Sequence, residues 1–256
     1  MADEFEKIPG RYGFSIERTG PVSVSGRMPM HASVADGRGV LRSAAVLMAV
    51  DMACGMAAGL GVVPEWTVTA DADVRFVGVC TVGPLRVDAF CVRGGRTMSI
   101  VDARVVDEGR DDALVAVATA NHGVLTPEFE HVLASAEVGY VWEFAPPDDP
   151  GDTIEEYFGL DREDGACCLP LTVRTTNPWG IFHGGLTGLL VDTAARDAGL
   201  VDLRDVGLRF LNPVKTGPAA ARVVADHARA GDRVLRIEIT DGPGGRLAVI
   251  GQVSGS

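Results

Sequence analysis

The chain has 256 residues, of which 46% are hydrophobic and 23% are charged, so it has enough apolar side chains for a sizeable core. Its formal net charge of -12 argues against nucleic acid as a partner, because phosphate binding needs a basic face and the arginines here are dispersed. The five cysteines lack paired spacing, and the five histidines lack metal-ligand spacing. We therefore expect a reducing, cytoplasmic setting, with neither a metal nor another cofactor.

Two apolar segments predict the central helices. The first, Ser43–Val63, is nearly long enough to span a bilayer and holds one charge, Asp51. The second, Leu186–Leu200, includes Asp192 and two further charges, which a membrane span would not tolerate. We expect no membrane contact, because a helix wrapped by a curved sheet is also apolar nearly all round. The acidic start, Met1–Glu6, does not resemble a signal peptide.

Strand-like runs bounded by turn residues follow each helix, and one run precedes it. The short turns between consecutive runs predict antiparallel hairpins. The predicted strands are Val22–Met28, Val74–Val79, Leu85–Val92, Met98–Val106 and Ala113–Ala118 in the first half, and Ala166–Val173, Leu208–Leu211, Ala220–Ala228, Val234–Thr240 and Leu247–Val253 in the second. Such a sheet must cover its apolar face, and in each half the helix is the large apolar element available.

The halves are predicted to be residues 1–125 and 153–256, joined by a connecting segment over residues 126–152. Within this segment, Thr126–Phe144 is predicted to be a helix or an irregular crossover. The run Pro146–Asp152 has the composition of a surface linker.

The two halves repeat one unit. Val74-Arg75-Phe76 leads to Gly83-Pro84 at the spacing with which Leu208-Arg209-Phe210 leads to Gly217-Pro218. Both helices keep a carboxylate, but the copies differ elsewhere. The second half alone has the glycine turn Asn177–Gly185 before its helix, whereas the first half has a hydroxyl, Thr69, where the second has a leucine. A two-fold pairing of the halves would therefore complete one site.

The run Asn177-x-x-Gly180-x-x-His183-Gly184-Gly185, followed in the helix by Leu190-Val191-Asp192, resembles the signature of hotdog-fold acyl-CoA thioesterases of the phenylacetate-pathway type. The resemblance covers Gly165–Val253 well and Val22–Thr119 weakly. It implies an α+β double hotdog, in which two curved antiparallel sheets each wrap a central helix and join as a pseudo-two-fold pair. It also implies an acyl-CoA substrate.

In the resembling family the acid comes from the opposite helix, which implies Asp51 as general base or nucleophile, with Thr69 orienting it or the water. A helix N-terminus offers unpaired N–H groups, so Gly184 N–H is the expected oxyanion donor, with the Asn177 amide as a second contact. His183 would support the turn. The residues expected to contact substrate are Gly185, Asp192, Thr193, Phe182 and Arg209.

Asp192 also has a structural interpretation. Aligning the two helices places Arg42-Ser43-Ala44 opposite Asp192, where the other site has His183-Gly184-Gly185. Asp192 would then pair with Arg42 in a second site that is dead or structural. The remaining histidines, outside the motif, are assigned no role.

Three function classes remain open. The first is an acyl-CoA thioesterase, and the second is a module that binds acyl-CoA without turnover, which the degraded first half suggests. A hotdog hydratase or dehydratase is the third, but those enzymes pair the Asp with a His five residues on, where this chain has Met56 and Asp197. The tandem chain is also expected to dimerise.

Overall fold

A computed structural model describes residues 8–126, 133, 135–144, 153–229 and 231–256. The α-helices whose limits fall within these residues are α1 (Ser43–Leu60), α2 (Ile154–Phe158) and α3 (Gly184–Asp197). The strands are β1 (Ser15–Gly20), β2 (Ser23–Met28), β3 (Trp66–Phe76), β4 (Leu85–Gly94), β5 (Met98–Asp107), β6 (Ala113–Leu125), β7 (Val141–Glu143), β8 (Asp161–Glu163), β9 (Ala166–Leu169), β10 (Leu203–Phe210), β11 (Ala219–Arg229), β12 (Asp232–Asp241) and β13 (Arg246–Gly255).

In the described part of the chain, these strands form one antiparallel sheet in the order β7-β1-β2-β4-β5-β6-β3-β10-β13-β12-β11-β9-β8. The halves meet where β3 pairs with β10, and there Val74 lies opposite Val206. The repeated strand of each copy therefore forms the seam. Helices α1 and α3 also pack against each other, and one apolar core runs through both halves.

Helix α1 is rich in alanine and methionine, which favour helix, and Gly61 follows its last residue. It packs on β2 to β6 on one side and on α3 on the other. Among the described residues it is the one helix long and apolar enough to cross a membrane, yet 78% of it is buried inside the protein. Enclosure by the curved sheet and by α3 thus accounts for its composition.

The predicted double hotdog is confirmed, with corrections to several strand limits, among them β6, which runs to Leu125 instead of ending at Ala118. Strand β3 begins at Trp66 and β10 at Leu203, several residues before the predicted starts at Val74 and Leu208. These early stretches carry aspartates, which are rare in strands, but they pair with β6 and β13. The run predicted from Ala166 ends at Leu169. Strands β1, β7 and β8 were not predicted.

The connecting segment lies largely outside the described residues, so its predicted form stays a prediction. Its described part contains β7, whose residues Val141–Glu143 pair with β1. This strand extends the sheet of the first half, so the chain returns to the edge of that half before it enters α2.

Candidate functional site

The turn Asn177–Gly185 is shaped by its own asparagine. Asn177 Oδ1 accepts hydrogen bonds from the backbone N–H groups of Trp179, at 3.0 Å, and Ile181, at 3.3 Å. Gly180 has φ +69°, a conformation that favours glycine. The side-chain oxygen of Asn177 thus folds the loop that leads into α3, and the expected contact of its amide with the substrate stays a prediction.

His183 caps the start of α3. Its Nδ1 accepts the backbone N–H of Gly185 at 3.0 Å. The ring is buried, and this burial lowers the pKa of His183, although Asp51 raises it. A neutral imidazole with Nδ1 as acceptor fits both observations. Among the described residues, no hydrogen bond takes up the Gly184 N–H, which therefore remains an available donor at the positive end of the helix.

Asp51 reaches this helix start from the other half. A Cβ built on Gly184 would lie 2.9 Å from Asp51 Oδ1 and 3.1 Å from Oδ2. Thr69 Oγ1 donates to Asp51 Oδ1 at 2.9 Å, and His183 Nδ1 is 3.9 Å from Oδ2. The Asp51 side chain is 17% exposed. The structure thus brings together Asp51 and Thr69 of one half with His183 and Gly184 of the other.

A cavity of about 20 Å³ opens beside this carboxylate. That volume suits a single water molecule, which needs roughly 10–15 Å³ and two to four polar partners. Its polar lining is Asp51, Thr69, His122 and Gly184. Its apolar lining is Leu47, Val50, Ala72, Val74, Ala120, Gly188, Leu208 and Phe210.

His122 was missed by sequence reasoning. It lies on β6 directly opposite Thr69 of β3, is 1% exposed, and has no hydrogen-bond partner on either ring nitrogen. Nothing near it in sequence marks it. The signal that could have found it is the pairing of β6 with the strand that carries Thr69.

Four residues that are predicted to contact substrate do not line this cavity. Arg209 is absent from the cavity lining, which includes its neighbours Leu208 and Phe210. Successive side chains of a strand face opposite sides, so Arg209 points away from the cavity, where it bonds Asp73 at 3.0 Å. Phe182 belongs to the apolar core. The other two are treated next.

Asp192 is fully buried in an ion network, and its expected contact with substrate stays a prediction. Its Oδ2 accepts Arg42 Nη2 at 2.8 Å and Arg196 Nε at 3.1 Å, and Arg42 also bonds Glu155. Its neighbour Thr193 is 2% exposed. The structural interpretation of Asp192 therefore fits the contacts, since Arg42 occupies the place equivalent to His183.

Gly185 lies closer to the site. A Cβ there would meet Met48 Sδ at 2.5 Å and Asp51 Oδ2 at 3.3 Å. Glycine at this position therefore allows α1 and α3 to approach closely. This contact keeps the carboxylate next to the helix start.

Replacing Gly184 by Ala should lower kcat by about 100-fold, because the new methyl would occupy the space next to the Asp51 carboxylate. The matched control is Gly55→Ala in α1, whose Cβ would meet nothing within 4 Å. That change should leave kcat unaltered and raise the free energy of unfolding by about 0.5–1 kcal/mol. Steady-state kinetics and urea unfolding of both variants check this, and equal activities would contradict it.

Acid should destabilise the fold through His122. Burial lowers the pKa of His122 from 6.5 to about 4, and the nearby carboxylates of Asp51 on α1 and Asp71 on β3 oppose this shift. Ser99, which lies opposite His122 on β5, carries no charge. Between these pH values the unfolded chain binds a proton that the folded chain does not, so the free energy of unfolding falls as the pH is lowered from 6.5 towards 4, by up to about 3 kcal/mol.

Urea unfolding at several pH values measures this dependence. His122→Gln should flatten it in this window, and the slope that stays should come partly from His183, whose pKa is also lowered by burial. An unchanged slope in the Gln variant would show that His122 does not contribute.

Comparison with known proteins first defines the fold class. The chain is similar to a solved structure described as a candidate thioesterase II from Thermobifida fusca, with 14% identity, a TM-score of 0.58 and 93% of each chain covered. It is similar to a candidate oleoyl thioesterase from Lactobacillus plantarum, with 13% identity, a TM-score of 0.61, and 91% of this chain and 95% of that one covered. It is also similar to a TesB protein of Mycobacterium avium subsp. paratuberculosis (13% identity, TM-score 0.57, covering 99% and 97%). The protein is a double hotdog.

Residues 39–114 match the profile of the thioesterase superfamily. A protein of Pasteurella multocida named as a candidate esterase is 32% identical over 81 residues, a stretch that covers 28% of this chain and 58% of that relative. The profile match falls in the first half, although the sequence pattern gave the second half the stronger resemblance. The resemblance to the phenylacetate-pathway type stays a prediction.

Proposed function

We propose that the protein hydrolyses an acyl-CoA thioester at one composite site between its halves. The observation that carries the proposal is the position of Asp51, whose carboxylate lies against Gly184 at the start of the opposite helix. The proposed base and the proposed oxyanion donor are thus neighbours, and both line a cavity of about 20 Å³. Thioester hydrolysis needs both groups, together with a water between them.

The reaction uses these groups in one sequence. Asp51 takes a proton from the water as the water oxygen bonds to the carbonyl carbon of the thioester. The Gly184 N–H stabilises the oxyanion that forms, and the α3 dipole adds to this stabilisation. The tetrahedral intermediate then collapses: the C–S bond breaks, and the departing thiolate takes the proton from Asp51. Thr69 holds the carboxylate through its hydrogen bond to Oδ1.

General-base action is favoured over direct attack by Asp51, because the cavity beside the carboxylate has the volume of one water. The two routes differ in a single turnover with excess enzyme in ¹⁸O-labelled water. Base catalysis places ¹⁸O in the acid product at once. Attack by Asp51 would form an anhydride, and water that opens this anhydride at the Asp51 carbonyl would release a first acid product without ¹⁸O and leave the label in the Asp51 carboxylate.

Thiol release from a panel of acyl-CoA substrates tests the activity. Hydrolysis of at least one member supports the proposal, whereas CoA ester binding without thiol release would favour the non-catalytic module. Hydration of a crotonyl-type substrate would favour the hydratase.

We also propose that two tandem chains associate. Exposed apolar side chains on the first half's strands support this, and among them Phe90 is 53% exposed, Val92 54% and Met98 47%. Burying them against a second copy would remove apolar surface from water. Native mass spectrometry measures the assembly, and a monomer at micromolar concentration would rule it out.

A further inference from the structure

His122 is the one member of the polar cavity lining that the reaction above leaves unused. It is 1% exposed, and neither ring nitrogen has a hydrogen-bond partner. Buried polar groups in native proteins nearly always have partners, and an unpaired one costs about 1–3 kcal/mol. Its ring shares the cavity with Asp51 and Thr69, so a polar occupant of that cavity would meet all three.

The internal repeat allows the position of His122 to be compared with the equivalent position in the second copy. In the first copy Thr69 pairs with His122, just before a break in register at residue 70. In the second copy Leu203 pairs with Gly255, just before the same break at residue 204. The copy that lacks the hydroxyl therefore also lacks the imidazole, although both copies keep their helix carboxylate.

This pattern matches the two environments of the carboxylates. Asp51 faces Gly184 and the cavity, whereas Asp192 is held by Arg42 and Arg196. Both oxygens of Asp192 accept hydrogen bonds from arginines, and the residue is fully buried, so it does not face a cavity as Asp51 does. The hydroxyl and the imidazole thus occur together, and they occur where a water can reach the acid.

We propose that His122 positions the hydrolytic water of the proposed thioesterase reaction, as a neutral imidazole that accepts one of its hydrogens while Asp51 accepts the other. The inference rests on the proposed function. With both hydrogens engaged, the lone pairs of the water face the carbonyl carbon next to Gly184. The proton that leaves goes to Asp51, and His122 keeps its protonation state through the cycle. His122 is thus a positioning residue, not the base.

The test compares His122→Leu with His122→Gln. Leucine has no acceptor, whereas the glutamine side-chain oxygen can accept a hydrogen bond without ionising. We expect His122→Leu to lower kcat by roughly 100-fold with KM nearly unchanged, because the substrate still binds but the water is no longer oriented. His122→Gln should recover most of the lost rate. His227→Leu, at an exposed position on β11, is the matched control and should keep the full rate.

Thermal unfolding distinguishes this role from a structural one. Removing an unpaired buried polar group should leave the melting temperature of His122→Leu unchanged or higher while the rate falls. If the Leu variant does not fold, His122→Asn replaces it, since its shorter side chain withdraws the acceptor and should lose the rate that Gln keeps.

Each outcome decides one question. A wild-type chain that hydrolyses thioesters together with a fully active Leu variant would overturn the role of His122 and leave the proposed function intact. Equal losses in the Leu and Gln variants would also overturn it. A wild-type chain without hydrolysis on any acyl-CoA would overturn the proposed function, and the inference with it.

Discussion

Replacing Asp51 by Asn is expected to lower kcat for thioester hydrolysis by about 10³-fold or more. The amide keeps the size of the side chain and can still accept from Thr69, but it cannot take a proton from water. The effect should fall on kcat, because the substrate contacts at Gly184 are unchanged. Thiol release under steady-state conditions, with folding checked by circular dichroism, measures it.

A second carboxylate provides the control. Asp102 is exposed on β5 and accepts a hydrogen bond from Thr119 at 2.9 Å, so Asp102→Asn removes a charge in a similar setting away from the cavity. It should retain the wild-type rate. If Asp51→Asn retained activity while Asp102→Asn or an Asp192 variant lost it, the acid would have been assigned to the wrong element.

The fold was predictable because the sequence repeats the pattern of one folding unit in each half. Two helices of matching composition, each followed by hairpins of matching spacing, define two equal units, and the arginine-phenylalanine strand of each unit forms the seam. The contact between Asp51 and Gly184 followed from the same symmetry, since each copy had kept a different part of the site. Long-range geometry was accessible here because it repeats a local pattern.

The alternation along a strand would have corrected one prediction. Leu208 and Phe210 flank Arg209 on β10. Successive side chains of a strand face opposite sides of the sheet, so the two apolar neighbours face the core and the arginine faces outward. Asn177 was harder to interpret, because an asparagine in a glycine turn can face a substrate or bond its own backbone. The structure shows bonds to Trp179 and Ile181, a choice that depends on the loop's conformation.

His122 was beyond the sequence pattern for a physical reason. It belongs to the last strand of its half, and its place beside Asp51 depends on the register of β3 against β6, including the bulge after Thr69. A shift of one residue would turn the side chain to the outer face of the sheet. Hydrophobic alternation indicates which face of a strand is buried, but it does not fix which residue of β6 lies opposite a given residue of β3.

The second large effect concerns stability. Asp192→Val is expected to lower the free energy of unfolding by about 3–5 kcal/mol, because Arg42 and Arg196, whose side chains are 14% and 22% exposed, both lose the buried carboxylate, and Arg42 keeps only the more exposed Glu155. Arg42→Met should cost less, since Asp192 keeps Arg196 at 3.1 Å. The double variant Arg42→Met/Asp192→Val should recover most of the loss, because an apolar pair of similar volume can replace a buried ion pair.

Urea unfolding of the four proteins forms a double-mutant cycle, whose coupling energy is the measured quantity. This ion pair joins the start of α1 to α3, as His183 and Asp51 join the start of α3 to α1, so it fills the place of a second site. Thiol release per folded molecule should therefore stay near the wild-type value in the double variant. Additive losses would show that the pair does not couple the halves, and a loss of turnover in the folded double variant would show that Asp192 takes part in catalysis.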